Sequence, residues 1–230
     1  PFNPHMPEKI HKWWKIMSME HASAFDQYGW DYYTGEWNEE FFPGYGSSWA
    51  IYIGAVGLLY EQAGVNGSQV LQEDGHILTY RESVHHQFIS SMQNLFTVAD
   101  QRKDILRDYY SEKHTSVYLK SNKLKAFIFP KSENNSIEHR FIETLNRQGI
   151  EVGKTLQDEK IRKAKNSFGI YKSNIVIPKG SILVRLDQPN HALVKAILDF
   201  DLRIDNSFLE SEKKQRLKNQ GSRLYETTGW

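Results

Sequence analysis

The chain of 230 residues contains no cysteine. This absence excludes disulfide bonds, thiolate ligands for zinc and a cysteine nucleophile. The chain also has no excess of charge of either sign, because 29 Lys and Arg residues and 28 Asp and Glu residues leave a net charge of +1. That balance gives no electrostatic basis for binding nucleic acid or an anionic membrane. No apolar run approaches the length of a membrane span.

The hydrophobic content of 39% and the charged content of 25% are typical of a globular chain. The pattern predicts two parts, at 1–110 and 111–230. The first part begins with a helix over 9–28, which a long aromatic loop follows. Residues 48–60 are predicted as a strand or a short buried helix, and 81–110 as a long helix. Apolar residues on one side of that helix are Val84, Phe88, Met92, Leu95 and Phe96.

The second part alternates short apolar strands with helices. Strands are predicted at 125–130 and 150–155, separated by a helix over 134–148 that Gly149 ends. A strand, a Pro-Gly turn and a second strand are predicted over 175–186, before a helix that begins near 191. This βαβ order predicts a small α/β domain. Its core is expected to contain Phe127, Ile128, Ile150, Val152, Ile182, Val184, Leu193 and Ile197.

Glu61 is the acid that the local pattern singles out. It follows eleven uncharged residues, 50–60, which themselves follow a Gly/Tyr/Ser loop. At the end of an apolar strand a carboxylate is expected to be partly desolvated, which suits it to proton transfer. The alternative interpretation is a rim carboxylate that caps the end of the strand.

Three segments of the first part carry a resemblance to a known family. FFPGYGSSW at 41–49, GAVGLLYEQAG at 54–64 and TYRESVHHQ at 79–87 resemble the C-terminal third of a zinc carboxypeptidase catalytic domain. The family is that of the carboxypeptidase A-like metallopeptidases, in a bacterial subgroup with an appended class I amidotransferase-like domain. The resemblance continues through RQGIEV, IPKGSILVRLDQPNHALVKAIL and the terminal YETTGW.

The resemblance implies an α/β fold, and it implies that the zinc ligands and the general base lie in different parts of the protein. In this family an HxxE pair and a distant histidine hold the zinc, and all three precede the matched segment. The chain is therefore expected to be the C-terminal portion of a longer protein, with no metal ligand of its own. A carboxylate takes a proton from the attacking water and later passes it to the leaving amine. Glu61 matches the position of that general base.

Tyr45 matches a loop tyrosine that binds substrate in the family, and its flanking glycines would allow it to move. The alignment of this loop with the family pattern also allows Tyr33 or Phe42 to take that position. An equal alternative for Tyr45 is a structural role, in which its side chain packs rigidly and anchors the loop. His5 and Glu8 match HxxE formally, but the prolines around them and their position late in the family pattern argue against a zinc site. In the second part, His139 and His191 cannot activate a nucleophilic cysteine, because the chain contains none. This domain is therefore expected to be a degenerate amidotransferase-like domain.

Two functions of different classes follow from these observations. The first is a zinc-dependent metallocarboxypeptidase that hydrolyses C-terminal peptide bonds of peptides or cell-wall peptides. This chain would supply Glu61 but not the zinc ligands, and alone it would be inactive. The alternative is a non-catalytic accessory module that binds a peptide or a protein partner. A periplasmic or secreted location is implied by the resemblance alone.

Overall fold

Helices and β-strands both contribute to the fold, which confirms the predicted mixed α/β class. The computed structural model describes residues 3–34, 40–118, 124–200 and 203–218, so the terminal YETTGW lies outside it. No helix in these ranges is long and apolar enough to cross a membrane. The elements are α1 (Glu8–Asp26), α2 (Gly46–Tyr52), β1 (Gln69–Leu71), β2 (Ile77–Thr79), α3 (Tyr80–Val117), β3 (Ala126–Phe129), α4 (Asn135–Arg147), β4 (Gly153–Lys154), β5 (Glu159–Lys165), β6 (Tyr171–Ile177), β7 (Ile182–Arg185), α5 (His191–Leu198) and α6 (Asn206–Leu217).

The first part is built on the packing of α1 against α3. Ile10, Trp13 and Met17 recur at helical spacing along α1 and are buried. The indole Nε1 of Trp13 donates a hydrogen bond to the carboxylate of Asp108 on α3, at 3.0 Å. The predicted helix over 9–28 is thus confirmed, and it ends two residues earlier than expected.

The helix α3 is longer than predicted, and its buried face is polar. It continues from Tyr80 to Val117, so the predicted boundary at 110 falls inside it. The buried positions are Ser83, Ser90, Thr97 and Ser116. Small side chains of this kind let a neighbouring helix approach closely. The predicted apolar side instead faces outward among the described residues, with more than half of each side chain exposed at Val84, Phe88, Leu95 and Phe96.

Residues 48–60 do not form the predicted strand. The short helix α2 covers the first part of this segment, which is the second of the two predicted alternatives. Ser48, Ile51 and Tyr52 are buried together because they lie three or four residues apart on one helical face. Gly54 ends the turn after the helix with a φ of 98°. The chain then runs to Ser68 outside helix and strand.

A three-stranded antiparallel sheet organises the second part. Its order is β3-β7-β4, with Phe127 opposite Val184 and Gly153 opposite Leu183. Because β7 is antiparallel to both neighbours, β3 and β4 are parallel to each other, and α4 connects them. The predicted βαβ order is therefore present in a split form, with β7 inserted between the two parallel strands.

The core of the second part closely follows the prediction. Phe127, Ile150, Ile182, Val184 and Leu193 are buried in one cluster, and the partly buried Val152 and Ile197 pack against it. Ile128 is half-buried and lies outside this cluster. The cluster also includes Tyr52 of α2, so the first part contributes directly to the core of the second.

The predicted hairpin over 175–186 is wrong in its pairing. The strand before Pro178 is the end of β6, which pairs with β5, whereas β7 pairs with β3 and β4. The β5–β6 hairpin turns at Asn166, whose side-chain oxygen accepts hydrogen bonds from the backbone N–H groups of Phe168 and Ile170. Gly169 has a φ of 80°, which favours glycine at this turn.

Candidate functional site

Glu61 lies on the wall of a large open cavity. The cavity has a volume of about 1180 Å³ and is lined by α1, the loop after α1, the irregular segment around Glu61, the β1–β2 turn and the first turns of α3. Glu61 itself is exposed. The expected desolvation by an apolar strand is therefore absent, because the segment before Glu61 lies outside helix and strand.

The segment that carries Glu61 is held to α3 by its neighbour Gln62. The Gln62 side-chain nitrogen donates to the backbone carbonyl of Ser83 at 2.9 Å. Its side-chain oxygen accepts a hydrogen bond from the Gln87 amide at 2.8 Å. These two bonds orient the backbone at 61–62, and they leave the Glu61 carboxylate facing the cavity.

Tyr60 anchors the other side of Glu61. Its hydroxyl lies 3.0 Å from Nε2 of His21 on α1 and accepts a hydrogen bond from the Asn94 amide at 2.9 Å. Burial lowers the pKa of His21 and raises the pKa of Tyr60, so both groups are neutral near neutral pH. The Glu61 segment is thus fixed to both helices of the first part.

A pair of histidines shares a carboxylate on the same cavity wall. Nε2 of His76 lies 2.9 Å from Glu82, and Nε2 of His86 lies 3.9 Å from it. Burial lowers the pKa of His86. Although the residue types would suit a metal, the described ranges contain no group of three or more such side chains arranged to hold an ion. The part of the chain that the structure describes therefore does not fit a zinc site.

Aromatic side chains from the loop after α1 form a continuous part of the cavity wall. The ring of Phe25 meets the rings of Trp30 and Tyr32 edge-on, with centroids 5.4 and 6.1 Å apart. The Trp30 ring lies 4.1 Å from the ring of His86. The hydroxyl of Tyr32 donates to Asp26 at 2.9 Å. The long aromatic loop in the sequence signals this wall, but its contact with α3 was not predictable from local spacing.

Tyr45 and Glu61 are not brought together. Tyr45 precedes α2, is exposed, and is not one of the residues that line the cavity. Its ring meets Phe42 edge-on at 5.3 Å. The segment before Glu61 packs closely on the start of α2 at Gly57. A Cβ atom at this position would come within 2.0 Å of the Ser47 carbonyl oxygen, so only glycine fits there. Tyr33, the neighbouring candidate, does line the cavity with Glu61.

Of the formal HxxE pair, His5 faces the second part of the protein and Glu8 does not. Nε2 of His5 lies 2.9 Å from Oδ2 of Asp199, while Glu8 is exposed on the first turn of α1. Burial, followed by the charge of Lys195, lowers the pKa of His5. The histidine thus packs at a contact between the two parts of the chain. His191 is engaged elsewhere, with Nδ1 2.7 Å from the Leu186 carbonyl oxygen.

We expect the 230-residue chain to retain much less than one equivalent of zinc after dialysis. Three protein ligands are the usual minimum for a tight site, and the described residues bring no such set together. Elemental analysis by mass spectrometry measures the bound metal, and His139→Ala provides a control on an exposed histidine. A stoichiometric ion that His5→Ala removed and His139→Ala did not would contradict this expectation.

Comparison of the chain with known protein families, with curated proteins and with solved structures found no match.

Proposed function

We propose that this chain is the C-terminal portion of a zinc carboxypeptidase and that Glu61 is its general base. The observation that carries the proposal is the position of Glu61, exposed on the wall of a cavity of about 1180 Å³ and flanked by residues anchored to α1 and α3. A base must reach a water molecule and a substrate nitrogen in turn, and a fixed backbone with a free carboxylate meets both needs.

The proposed reaction is hydrolysis of the last peptide bond of a peptide or a cell-wall peptide. The Glu61 carboxylate takes a proton from a water molecule as the water oxygen bonds to the scissile carbonyl carbon. It then gives the proton to the nitrogen as the C–N bond breaks, so that one residue leaves as a free amino acid. The described residues do not fit zinc, and in this proposal its ligands belong to a part of the protein outside this chain.

The second part has a structural role in this proposal. It resembles an amidotransferase-like domain in sequence but has no cysteine to act as nucleophile. Its core includes Tyr52 of α2, whose hydroxyl donates to the backbone carbonyl of Glu40 at 2.6 Å. The domain thereby supports the loop that contains Tyr45 and, through Gly57, the segment that leads to Glu61.

Replacing Tyr45 by phenylalanine is expected to lower kcat/KM of the whole protein by roughly tenfold to a hundredfold. One hydrogen bond that strengthens in the transition state is worth about 1 to 3 kcal/mol. The Tyr45 hydroxyl forms no hydrogen bond with the described residues, so it is available to a substrate. Steady-state kinetics with Tyr33→Phe as the matched comparison decides between the two tyrosines. A larger loss for Tyr33→Phe would assign the role to Tyr33.

The experiment that tests the proposed function compares two peptides of one sequence, with a free C-terminal carboxylate and with a C-terminal amide. The whole protein loaded with zinc is expected to shorten the free acid by one residue and to leave the amide intact, because a carboxypeptidase recognises the terminal carboxylate. Binding of the free acid without cleavage would favour the accessory module. Cleavage of both peptides at an internal bond would contradict both functions.

A further inference from the structure

The β5–β6 hairpin concentrates positive charge. Residues 160–177 contain five basic side chains and no acid, although basic and acidic residues are almost equal in number in the whole chain. The near-neutral charge of the chain therefore conceals a local positive surface. The five basic side chains, all of them exposed, are those of Lys160, Arg162, Lys163, Lys165 and Lys172.

The nearest acids in the sequence lie at the base of the hairpin, away from its turn. The carboxylate of Asp158 accepts a hydrogen bond from the backbone N–H of Lys179 at 2.8 Å. The carboxylate of Glu159 accepts one from the side-chain nitrogen of Gln157 at 3.4 Å. Neither acid is paired with a basic side chain of the hairpin in these contacts, so the positive charge along the strands persists.

Most of the basic side chains are available to a partner. In the part of the chain that the structure describes, no hydrogen bond or ion pair engages the side chains of Lys160, Arg162 and Lys172. Lys163 lies over the ring of Tyr171, with Nζ 4.3 Å from the ring centroid. This contact holds the ammonium group near the end of the hairpin and leaves its N–H groups open to an anion.

The turn of the hairpin presents apolar side chains to solvent. Phe168 is 85% exposed and Ile170 is 57% exposed. The backbone of both residues is fixed, because the Asn166 side-chain oxygen accepts a hydrogen bond from each of their N–H groups. The turn is thus an ordered apolar end, and basic side chains follow it along both strands.

The hairpin is a separate unit of the second part. β5 and β6 pair with each other, and neither pairs with a further strand among the described residues. Of the residues in the two strands, only Ile177 at the end of β6 is buried. Strands of seven residues are roughly 23 Å long, so the turn lies well away from this buried base.

We propose that the β5–β6 hairpin docks on a membrane surface that carries anionic phospholipids. Phe168 and Ile170 enter the boundary between headgroups and acyl chains, and the basic side chains contact the lipid phosphates. Charge complementarity selects an anionic partner. The apolar turn favours a bilayer over a nucleic acid, because a bilayer accepts an aliphatic side chain such as Ile170, whereas single-stranded nucleic acids stack on aromatic rings.

The test measures binding of the 230-residue chain to lipid vesicles by sedimentation. One set of vesicles is phosphatidylcholine alone, and the other is an equimolar mixture of phosphatidylcholine and phosphatidylglycerol. Each basic residue close to an anionic bilayer strengthens binding by about fivefold. We therefore expect roughly hundredfold tighter binding to the anionic vesicles at low salt, and a weaker preference as sodium chloride screens the charges.

Matched charge variants locate this preference on the hairpin. Lys163→Gln combined with Lys172→Gln is expected to lower the affinity for anionic vesicles by roughly tenfold to thirtyfold. The control, Lys15→Gln with Lys103→Gln, changes the net charge equally at exposed positions on α1 and α3. It is expected to bind as the wild-type chain does.

Variants of the turn test insertion separately from charge. Phe168→Ser is expected to lower the affinity roughly tenfold, whereas Leu106→Ser, at a 65% exposed position on α3, should have no effect. Because the chain contains no cysteine, Phe168→Cys can carry a single nitrobenzoxadiazole label. Its emission is expected to shift to the blue on anionic vesicles, and the same label on Leu106→Cys should not respond.

The outcomes separate a membrane from other anionic partners. Equal affinity for the two kinds of vesicle, or hairpin variants that bind as the wild-type chain does, would overturn the proposal. A label at position 168 that stays in water on bound vesicles would overturn it too. Single-stranded DNA and polyphosphate supply phosphates without a bilayer. Binding of either as tightly as anionic vesicles, with no loss in Phe168→Ser, would overturn the membrane proposal and assign the hairpin to a soluble phosphate polymer. No outcome depends on hydrolysis, so this inference and the proposed function can fail independently.

Discussion

Replacing Glu61 by glutamine is expected to lower kcat of the whole zinc-loaded protein by about 10² to 10⁴, the range typical of general acid–base catalysis. Glutamine preserves the shape and hydrogen bonding of the side chain, but it cannot accept the proton. Because Glu61 serves two proton transfers in the proposed reaction, the loss should lie near the top of this range. Steady-state hydrolysis of a peptide with a free C terminus measures it.

Two controls separate a lost base from a damaged protein. Glu61 is exposed, and neither an ion pair nor a hydrogen bond joins it to another described residue, so its replacement should leave folding and zinc content unchanged. Glu133→Gln makes the same change at an exposed position outside the cavity and should keep full activity. Activity near normal in Glu61→Gln would show that the base is another residue.

Truncating Leu193 to alanine is expected to lower the free energy of unfolding by about 2 to 5 kcal/mol. The side chain is 0% exposed and belongs to the core cluster of the second part. The truncation removes buried methyl groups and leaves a cavity that the neighbouring strands cannot fill. A loss of this size is a large fraction of the total stability of a typical domain, which is about 5 to 15 kcal/mol.

Urea denaturation followed by circular dichroism measures this change in stability. Leu156→Ala is the matched control, because it removes the same atoms from a side chain that is 85% exposed. Its effect should stay within about 0.5 kcal/mol. Equal losses in the two variants would mean that the cluster around Leu193 is not the core of the second part.

Helix α1 and the strands β3 and β7 could be located from the sequence because their local patterns and their burial agree. α1 buries the apolar positions that its spacing indicates, and β3 and β7 are short apolar runs in a central position. For α3, the same pattern predicted the wrong buried face. Its apolar side chains lie on one face, but the side chains that it buries are those of the small residues Ser83, Ser90 and Thr97, since close helix packing favours small side chains over large ones.

The local sequence pattern did not predict which strands pair with each other. The run from 175 to 186 resembles a hairpin, yet its two strands join different sheets, because β7 is needed between β3 and β4. The true hairpin partner of β6, β5, is a charged segment with little apolar alternation. Asn190 shows the same limit at the level of one residue. It is the N-cap residue of α5, but its side-chain nitrogen donates to the Gly149 carbonyl at 2.9 Å instead of its side chain capping the helix.

The candidate site was only partly predictable. An acid after a long uncharged run indicated Glu61, and the long aromatic loop is the segment that contributes Trp30 to the cavity wall. The association of His76 with Glu82 and the position of Tyr33 depend on how the β1–β2 turn and the loop after α1 pack on α3. Those contacts join residues distant in sequence, so neither spacing nor composition specifies them.

The central claim, that Glu61 accepts the proton, is tested most directly by chemical rescue. Glu61→Ala leaves space for a small carboxylate at the open cavity wall. With the whole zinc-loaded protein, kcat of this variant is predicted to rise with formate concentration and to saturate, whereas sodium chloride at equal ionic strength has no effect. Glu61→Gln should not respond, because the glutamine side chain fills the space. A near-normal rate for Glu61→Ala, or a low rate that formate does not raise, would contradict the claim.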